Sequence, residues 1–537
     1  MARSVMNWFV NRPIAGSVLL FVMAVGLYSL TMAPGLVWAN LGGDGGDFLA
    51  AAHTWGIPHP TGYPTYLVLL RVFSSLMWFG DPASQGNLFS AVAGAAAVAI
   101  LFLAVRKILL RLPLSETRGR LLPSITAFVA AMGFATSNIP WSQSTITEVY
   151  TLNAVFVALF LWMAVLAHAR IDRGESSLFL RSGLAFLLGV ALGNHLTIVL
   201  VAVPFGLWLY WPLLQPGRRM AVLREWQTVL ALATGLLVYL YAPIASSQDP
   251  ALNWFFPDTF TGFRDMVSGK LYQSYVFGVH GGLLGERIPY LADRWLTHYT
   301  ALGAIFGLVG ITVLWGRLRG FVIASIASVV ALTVYSITYS GFDSYVLLIP
   351  VFMVIGIWIA AGILNLVVSL SEFVERSPDA WISRFRSAIV PVVLIAAVIG
   401  TSVWSVAFNY AGVDVSSDTE AMDYVAEAFD TAGPGALIVA EDIPTFSLWY
   451  QSFVVEPDQD VAVVAWFLLG FDWYWEHLQR QFPDRIPQQE IIGGARRLKE
   501  IVAYNNGSIP VLFTREDAPY AESYNLEAAG PLWRVQN

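Results

Sequence analysis

Long uninterrupted apolar runs are the feature that most constrains the fold of this 537-residue chain. Several approach the roughly 20 apolar residues that an α-helix needs to cross a bilayer. Only 12% of the residues are charged, against about 25% in ordinary soluble domains. We therefore predict a polytopic α-helical membrane protein. About eleven spans are predicted, at roughly 14–32, 86–105, 121–136, 148–167, 182–194, 196–213, 226–245, 298–315, 320–338, 345–367 and 387–408.

A short apolar segment at 65–79 decides the predicted topology. It carries Arg71 near its middle, so it is either a short span or a helix lying in the membrane interface. With a cytoplasmic N-terminus and an interfacial 65–79, most of the 30 lysines and arginines fall in inner segments. If 65–79 crossed, every later basic loop would lie outside. The positive-inside rule therefore favours the interfacial helix.

This topology places the loops 33–85 and 246–297 on the outer face. The first apolar run follows basic residues and is read as a retained first helix, so we expect a multi-pass protein of the plasma membrane.

After residue 416 the chain becomes acidic and mixed, and short apolar runs alternate with helical patterns. That alternation predicts a small extracytoplasmic α/β domain. We divide the chain into a transmembrane domain, 1–410, and this soluble domain, 411–537. The predicted strands are Ala436–Ala440, Val461–Ala465 and Pro510–Phe513, with helical patterns over Trp473–Phe482 and Gly494–Tyr504.

Charge and cysteine content exclude several classes of function. The net charge of −7 argues against a nucleic-acid partner. The absence of cysteine excludes disulfides and thiolate metal sites. The sequence also contains no phosphate-binding P-loop, His-Glu-x-x-His zinc motif or nucleophile elbow. Membrane lipids are the partners that the composition itself implies.

The stretch 42–64 concentrates ionisable and backbone-special residues directly after the first apolar run. Asp44 and Asp47 would share one face of a helix beginning here, and we expect that helix at Gly46–Trp55. Asp44 is either the N-cap of that helix or a general base at the outer membrane edge. The spacing alone leaves both interpretations open.

A stiff, proline-rich segment follows, from Pro58 to Pro64. Its prolines exclude a regular helix and direct His59 and Tyr63 at something fixed. His59 could bind a phosphate or a metal ion. A lone histidine is as readily a structural hydrogen-bonding group.

Four further candidates lie at predicted outer helix ends. Glu148 stands at the mouth of the fourth span, with Tyr150 and Asn153 close behind it. Ionisable groups at membrane depth are costly and usually functional. A carboxylate at a helix N-terminus is also favoured by the helix dipole alone. His195, between the fifth and sixth spans, has the same two interpretations.

The outer loop 246–297 mixes basic and aromatic residues beside the membrane. Its cations Arg264 and Lys270 could hold a lipid phosphate, and its rings Trp254 and Tyr272 could stack on a sugar. The same residue types would equally anchor the loop in the interface.

The motifs together resemble a membrane family whose eukaryotic member is an O-mannosyltransferase acting on IPT domains of receptors. The family pattern reads Asp-Ser-Gly-Glu-Phe, a short helix, then His-Pro-Pro-Gly-Tyr-Pro. This chain departs from it with Asp47 in place of Glu and Thr61 in place of the second proline, and it lacks a family arginine near Ala245. The matching stretches are Gly42–Ala52, His59–Pro64, Asn87–Ala91, Glu148–Asn153, Gly193–Leu196, Leu252–Trp254 and Phe342–Tyr345.

The resemblance extends to the GT-C superfamily of polytopic glycosyltransferases and implies the fold and the chemistry. It implies inverting transfer of a sugar, most simply mannose, from a polyprenyl-phosphate carrier to a hydroxyl of a protein or envelope acceptor. Asp44, or Asp47 as second choice, would be the base. Cations among Arg71, Arg264, Lys270 and His59 would stabilise the leaving phosphate, with Tyr63 beside them. The implied substrate-binding residues are Glu148, Tyr150, Asn153, His195, Trp254, Tyr272 and Asp343.

By the same resemblance no cofactor is obligatory, although two acids and a histidine could hold a divalent metal ion. The alternative function is a transporter or flippase for a lipid-linked or small substrate. Transporters usually combine pseudo-repeats, broken helices and charges at the membrane midplane. In this sequence the acids cluster in the outer loops, which favours the enzyme. A third reading, an anchored interaction module, would leave the loop 42–64 unexplained.

Overall fold

The computed structural model of the chain describes residues 12–113, 119–213, 225–376, 400, 402–518 and 521–536. Its membrane part is almost wholly helical. The predicted span at 387–408 lies mostly outside the described residues. The helices of the membrane part are α1 Pro13–Thr31, α2 Gly45–Thr54, α3 Pro64–Leu76, α4 Pro82–Leu109, α5 Leu121–Ala135, α6 Asn138–Gln143, α7 Tyr150–Asp172, α8 Leu178–Leu192, α9 Val199–Tyr210, α10 Trp226–Leu236, α11 Tyr241–Ser246, α12 Phe260–Val267, α13 Gly281–Thr338 and α14 Ile349–Arg376.

The long apolar helices match the predicted spans. Among the described residues, seven are long and apolar enough to cross a membrane, and α5 and α8 are shorter apolar helices. Seven such helices indicate a multi-pass membrane protein. Helix α3, which covers the segment at 65–79, has 13 residues and is about 20 Å long, too short to cross a hydrocarbon core of about 30 Å. One face of α3 buries Tyr66, Leu67 and Leu70.

Helix α13 has 58 residues, and a straight helix of that length would extend about 87 Å. Its two ends nevertheless meet, because the Val279 N–H donates to the Thr338 carbonyl at 3.3 Å. The Trp358 indole N–H donates to Ser325 Oγ at 3.1 Å, while the backbone of Trp358 closely approaches Gly310. Positions 310 and 325 therefore lie at one level, and the segment folds back between them. The reversal falls where the sequence predicts a turn between spans 298–315 and 320–338.

Small residues allow the membrane helices to pack closely around α4. Gly94 of α4 approaches Ser144 and the ring of Tyr28, and a Cβ there would clash with both. The Tyr28 hydroxyl donates to the Ala135 carbonyl of α5 at 2.9 Å. Close approach at small residues and hydrogen bonds between helices are the usual sources of helix association in a membrane.

The C-terminal region forms the predicted α/β arrangement around one five-stranded sheet. The strand order is β2-β1-β3-β5-β4, with β1 parallel to β2 and β3, and β5 antiparallel to β3 and β4. The three predicted strands are β1, β2 and β3. The hairpin of β4 and β5 was not predicted from the sequence. The elements are α15 Glu420–Ala432, β1 Leu437–Ala440, α16 Asp442–Tyr450, β2 Ala462–Ala465, α17 Asp472–Gln481, α18 Gly494–Asn505, β3 Val511–Phe513, β4 Leu526–Ala529 and β5 Leu532–Val535.

Helix α16 of this C-terminal region packs directly on α2 of the membrane part. Gly46 allows the contact, because a Cβ there would meet the backbone of Phe446 and Ser447. The Trp38 indole N–H also donates to Ser447 Oγ at 3.0 Å. The acidic stretch 42–64 is therefore covered by the C-terminal region.

Candidate active site

Asp44 stands at the boundary between a 3₁₀ turn, Ala39–Asp44, and helix α2. The helix begins at Gly45 and ends at Thr54, one residue earlier at each end than predicted. Asp44 occupies the N-cap position, but its backbone is already helical and its side chain does not cap the helix. The carboxylate is instead directed at His59, with its Oδ2 3.7 Å from Nε2. The capping interpretation of Asp44 is therefore wrong.

Asp47 is fully buried and binds both the backbone and the ring of His59. One oxygen, Oδ2, accepts from the His59 backbone N–H at 2.8 Å and contacts the ring Nδ1 at 2.7 Å. Because a carboxylate oxygen only accepts, Nδ1 carries a proton and Nε2 faces Asp44. The other oxygen of Asp47 has no hydrogen-bond partner among the described residues.

Aromatic rings enclose the His59 imidazole. Phe48 of α2 lies 5.0 Å away between ring centroids, and Phe446 of α16 stacks on the imidazole at 6.0 Å. The remaining rings come from segments far apart in the sequence: Tyr63 at 5.2 Å, Tyr272 at 6.2 Å and Trp254 at 6.3 Å. The enclosed imidazole is therefore largely shielded from water, and only 4% of its side chain is exposed.

Backbone pairing brings the loop 246–297 to this ring. The Ile57 N–H donates to the Leu252 carbonyl at 2.7 Å, and Trp254 is the next residue but one. Gly62, with φ +80°, turns the chain beside Met266 of α12. The glycine is required there, since a Cβ would be both strained and too close to the methionine sulfur.

Further carboxyl groups face Asp44. Glu148 is buried, and its pKa is raised well above its usual value by burial first and then by the charges of Asp44 and Asp343. Asp343 accepts from the Tyr150 hydroxyl at 2.8 Å. Burial followed by the Asp44 charge likewise raises the pKa of Tyr63. Carboxyl groups from three distant parts of the sequence thus interact electrostatically around Glu148.

The other predicted residues of the α7 mouth lie close by. The His195 ring is 5.5 Å from the Tyr150 ring, and burial lowers the pKa of His195 to about 4. Asn153 is buried, and its side-chain carbonyl has no partner among the described residues. These groups are neutral, polar and shielded, which suits hydrogen bonding to sugar hydroxyls rather than charge stabilisation.

Two cations lie at the edge of the cluster. Arg264 and Lys270 both form ion pairs with Asp265, whose side chain is 8% exposed while theirs are 57% and 55% exposed. Gly269, next to Lys270, packs against Thr61 of the His59 turn. We call Arg264, Asp265 and Lys270 the cation rim.

Arg71 is not brought to this cluster. Its guanidinium lies over the Trp55 ring, 5.7 Å from the centroid, at the C-terminal end of α2. That end is about 12 Å along the helix from Asp47. Arg71 therefore lies at the end of α2 that is remote from Asp47.

Sequence reasoning missed three residues that shape the site. Phe446 covers the imidazole from a domain almost 400 positions away, and no local pattern indicates that contact. Asp265 was overlooked between two basic residues. Arg287 donates to the carbonyls of Tyr339, Ser340 and Gly341, and so fixes the turn that carries Asp343.

No group of three or more His, Asp or Glu side chains within the described part of the chain is arranged to hold a metal ion. The expectation that no cofactor is obligatory stays a prediction.

Two solved structures share this architecture. The apo structure of ArnT from Cupriavidus metallidurans aligns with a TM-score of 0.54 at 14% identity, covering 97% of this chain and 98% of that one. The Archaeoglobus fulgidus oligosaccharyltransferase, tethered with an acceptor peptide, aligns at 0.52 and 13% identity, covering 99% of this chain and 75% of that one. The fold is therefore that of the GT-C glycosyltransferases.

The sequence of the chain is also similar to protein O-mannosyl-transferases. Residues 44–215 match the family model of the protein O-mannosyl-transferase TMEM260 N-terminal domain. Protein O-mannosyl-transferase TMEM260 of Mus musculus is 32% identical over 255 residues, 47% of this chain and 34% of that protein. Its namesake in Dictyostelium discoideum is 23% identical over 506 residues, 86% of this chain and 58% of that protein. The chain spans about a third to somewhat over half of these relatives. The resemblance drawn from the sequence motifs is confirmed.

Proposed function

We propose that the chain is an inverting GT-C glycosyltransferase. It moves a sugar, mannose by the names of its relatives, from a polyprenyl-phosphate carrier to a hydroxyl of a protein or envelope acceptor. The observation that carries the proposal is the half-exposed Asp44 carboxylate beside a buried Asp47–His59 pair. A carboxylate so placed can take a proton from an incoming hydroxyl.

Asp44 is the base rather than Asp47. Its side chain is 48% exposed and so reachable by an acceptor. Asp47 is fully enclosed, and the oxygen that makes hydrogen bonds is engaged by His59. Asp47 remains the second choice, since its other oxygen has no partner among the described residues.

The chemical step needs no covalent intermediate. Asp44 removes the proton from the acceptor hydroxyl as its oxygen bonds to the anomeric carbon. The bond from that carbon to the phosphate oxygen breaks on the opposite face, and polyprenyl phosphate leaves with the electron pair. Inversion follows from this single displacement.

The cation rim stabilises the charge that develops on the leaving phosphate. Arg264 and Lys270 are more than half exposed, and their charged ends both pair with Asp265. Gly269, next to Lys270, lies near Thr61 of the His59 turn. Cationic donors placed where charge develops are a large contribution to catalysis. We assign no phosphate contact to His59, because it lies between two aspartates, or to Arg71, because its guanidinium lies over Trp55 at the C-terminal end of α2.

The sugar occupies the volume between the acid cluster and the enclosing rings. Tyr272 supplies the face on which a sugar ring stacks. Trp254 is 2% exposed and packs between His59 and Trp473, so it supports this site from within. The polar groups that would hold its hydroxyls are Glu148, Tyr150, Asn153, His195 and Asp343.

The same assignment puts the site at the outer face of the plasma membrane, with a cytoplasmic N-terminus, as the charge distribution predicts. The C-terminal region would then be extracytoplasmic and cover the site. No obligatory metal is proposed, so we expect transfer to survive incubation with a chelator.

The test is transfer of label from radiolabelled polyprenyl-phosphate mannose to acceptor polypeptides by the purified protein in lipid nanodiscs. Asp44→Asn should lower transfer by about a hundredfold or more, whereas Asp81→Asn should leave it unchanged. Asp81 is a matched control, because it is exposed and only caps α4 through the Ser84 N–H. Full transfer by Asp44→Asn would exclude the proposed base. No transfer by the wild type, with substrate-dependent flux in liposomes, would favour the transporter.

A further inference from the structure

The cluster around Asp44 poses an electrostatic problem that the proposed base does not itself solve. Asp44 and Asp343 both lie near enough to Glu148 for their charges to raise the pKa of Glu148. Like charges that share a poorly hydrated volume disfavour each other's ionised forms. A general base must nevertheless be ionised when the acceptor arrives. Something in the site has to offset the crowding of carboxyl groups.

His59 lies where such a compensating charge would be. Its Nε2 is 3.7 Å from Asp44 Oδ2, while its Nδ1 is 2.7 Å from Asp47 Oδ2. The two aspartates therefore contact opposite nitrogens of one ring. An imidazolium donates from both nitrogens and would satisfy both contacts, whereas a neutral ring could donate from only one.

The ring is also held in place. Asp47 binds both the backbone N–H and the side chain of His59, and the residues on either side are prolines. Ionisable groups that face the ring among the described residues include Asp44 at the start of α2 and Asp47 within it. Tyr63, just before α3, and Tyr272, from the 3₁₀ turn Lys270–Tyr275, face it as well. Helix α16 and the loop before α12 contribute the rings of Phe446 and Trp254.

We propose that His59 is a positioning residue, an imidazolium anchored by Asp47 that keeps Asp44 ionised and aimed at the acceptor. The proposal rests on the proposed glycosyl transfer by Asp44. The two aspartates of the stretch 42–64 then have different roles: Asp44 takes the proton, and Asp47 anchors the compensating charge. A proton relay, in which a neutral His59 takes the proton from Asp44, would use the same contacts with the opposite charge state.

The pH profile of transfer distinguishes these arrangements. Replacing His59 with Asn retains a donor toward Asp47 but removes the positive charge. Asp44 would then remain protonated to higher pH, so the acidic limb of the pH–rate profile should be displaced to higher pH. An opposite charge at this distance usually lowers the pKa of a carboxyl group by about one or more. Losing that charge should therefore reduce the rate roughly tenfold on the acidic limb. The loss should shrink as the pH rises.

Two other variants sharpen the test. Asp47→Asn leaves the imidazole with a weaker anchor, so its profile should move in the same direction by less. His53→Asn is the matched control, because His53 lies on α2 but contacts the Leu49 carbonyl rather than the cluster. Its profile should coincide with that of the wild type.

Each alternative outcome overturns the proposal. An equal loss at every pH in His59→Asn would mean that the ring only supports the structure. A limb displaced to lower pH would mean that His59 itself accepts the proton.

An activity-independent measurement separates this proposal from the proposed function. In ¹⁵N-histidine NMR spectra of the full chain, the His59 ring should remain protonated at both nitrogens over a wider pH range in the wild type than in Asp44→Asn. Identical ranges would refute the pairing. If the wild type transfers no sugar while the ranges differ, the proposed function fails and the charge pairing stands.

Discussion

The acid cluster and the cation rim use charge in opposite ways. Asp47 and His59 are buried, and their mutual distances are fixed by hydrogen bonds and proline-bounded backbone. Arg264 and Lys270 are more than half exposed and share a single carboxylate. The first arrangement is rigid and the second adjustable.

This difference suits the two parts of the proposed reaction. Proton removal requires one carboxylate within hydrogen-bond reach of one hydroxyl, so small displacements are costly. A phosphate carries several equivalent oxygens and tolerates cations at a range of positions. Substitutions in the acid cluster should therefore act mainly on the rate, and those in the rim mainly on donor binding.

The largest effect is expected at Asp44. Asp44→Asn keeps the size of the side chain but removes the base, so kcat should fall by about 10²–10⁴-fold, the usual contribution of a general base. The donor KM should change little. The measurement is steady-state transfer with the donor varied. A large rise in KM at constant kcat would instead make Asp44 a donor-binding residue.

The cation rim should show the reverse pattern. Lys270→Gln removes one charge from the rim while Arg264 keeps its pair with Asp265. We expect the donor KM to rise by about tenfold or more, because a charge-assisted contact to phosphate is worth about 1.5–3 kcal/mol and each 1.4 kcal/mol is about tenfold. The kcat should fall less. A loss confined to kcat would break the proposed distinction between the two regions.

The sequence predicts more of the fold than of the site. Each long apolar helix coincides with a predicted run, because crossing a bilayer imposes a length and composition that a single sequence reveals. The reversal inside α13 falls at Arg317 and Arg319, where charge interrupts the apolar run. Strands β1 to β3 were visible as short apolar runs. Strands β4 and β5 were not predicted, because β4 is partly exposed and contains Glu527, so the hairpin begins without an apolar run.

Within the site, local spacing identified Asp44, Asp47 and His59 as candidates but not their arrangement. Whether Asp44 caps α2 or faces His59 depends on the turn before it, which no local pattern specifies. Phe446 and Asp343 reach the cluster by packing between segments hundreds of residues apart. The contact of Arg71 with Trp55 was equally hidden, because the position of Arg71 on α3 does not indicate which end of α2 it meets.

A smaller effect is expected on the pH dependence of stability through Glu148. Its pKa is raised in the folded state, so its contribution to stability is full below its unfolded value near 4.5 and is lost as the pH rises through the folded value. Glu148→Gln cannot ionise and should therefore lose less stability above about pH 4.5 than the wild type. Melting temperatures in detergent between pH 4 and 8 provide the measurement. Parallel curves would mean that Glu148 ionises without cost.

The smallest effect is expected at Arg71. Its guanidinium lies over Trp55 and away from the acid cluster, so Arg71→Gln should change the donor KM by less than about twofold, since only a cation–π contact at a partly exposed site is lost. Lys270→Gln, measured alongside, provides the scale. If the two variants raise the KM equally, the leaving phosphate also reaches the C-terminal end of α2, and the cation rim is only part of its site. If only Lys270→Gln does so, the phosphate is confined to the His59 side, where the anomeric carbon must also lie for in-line attack.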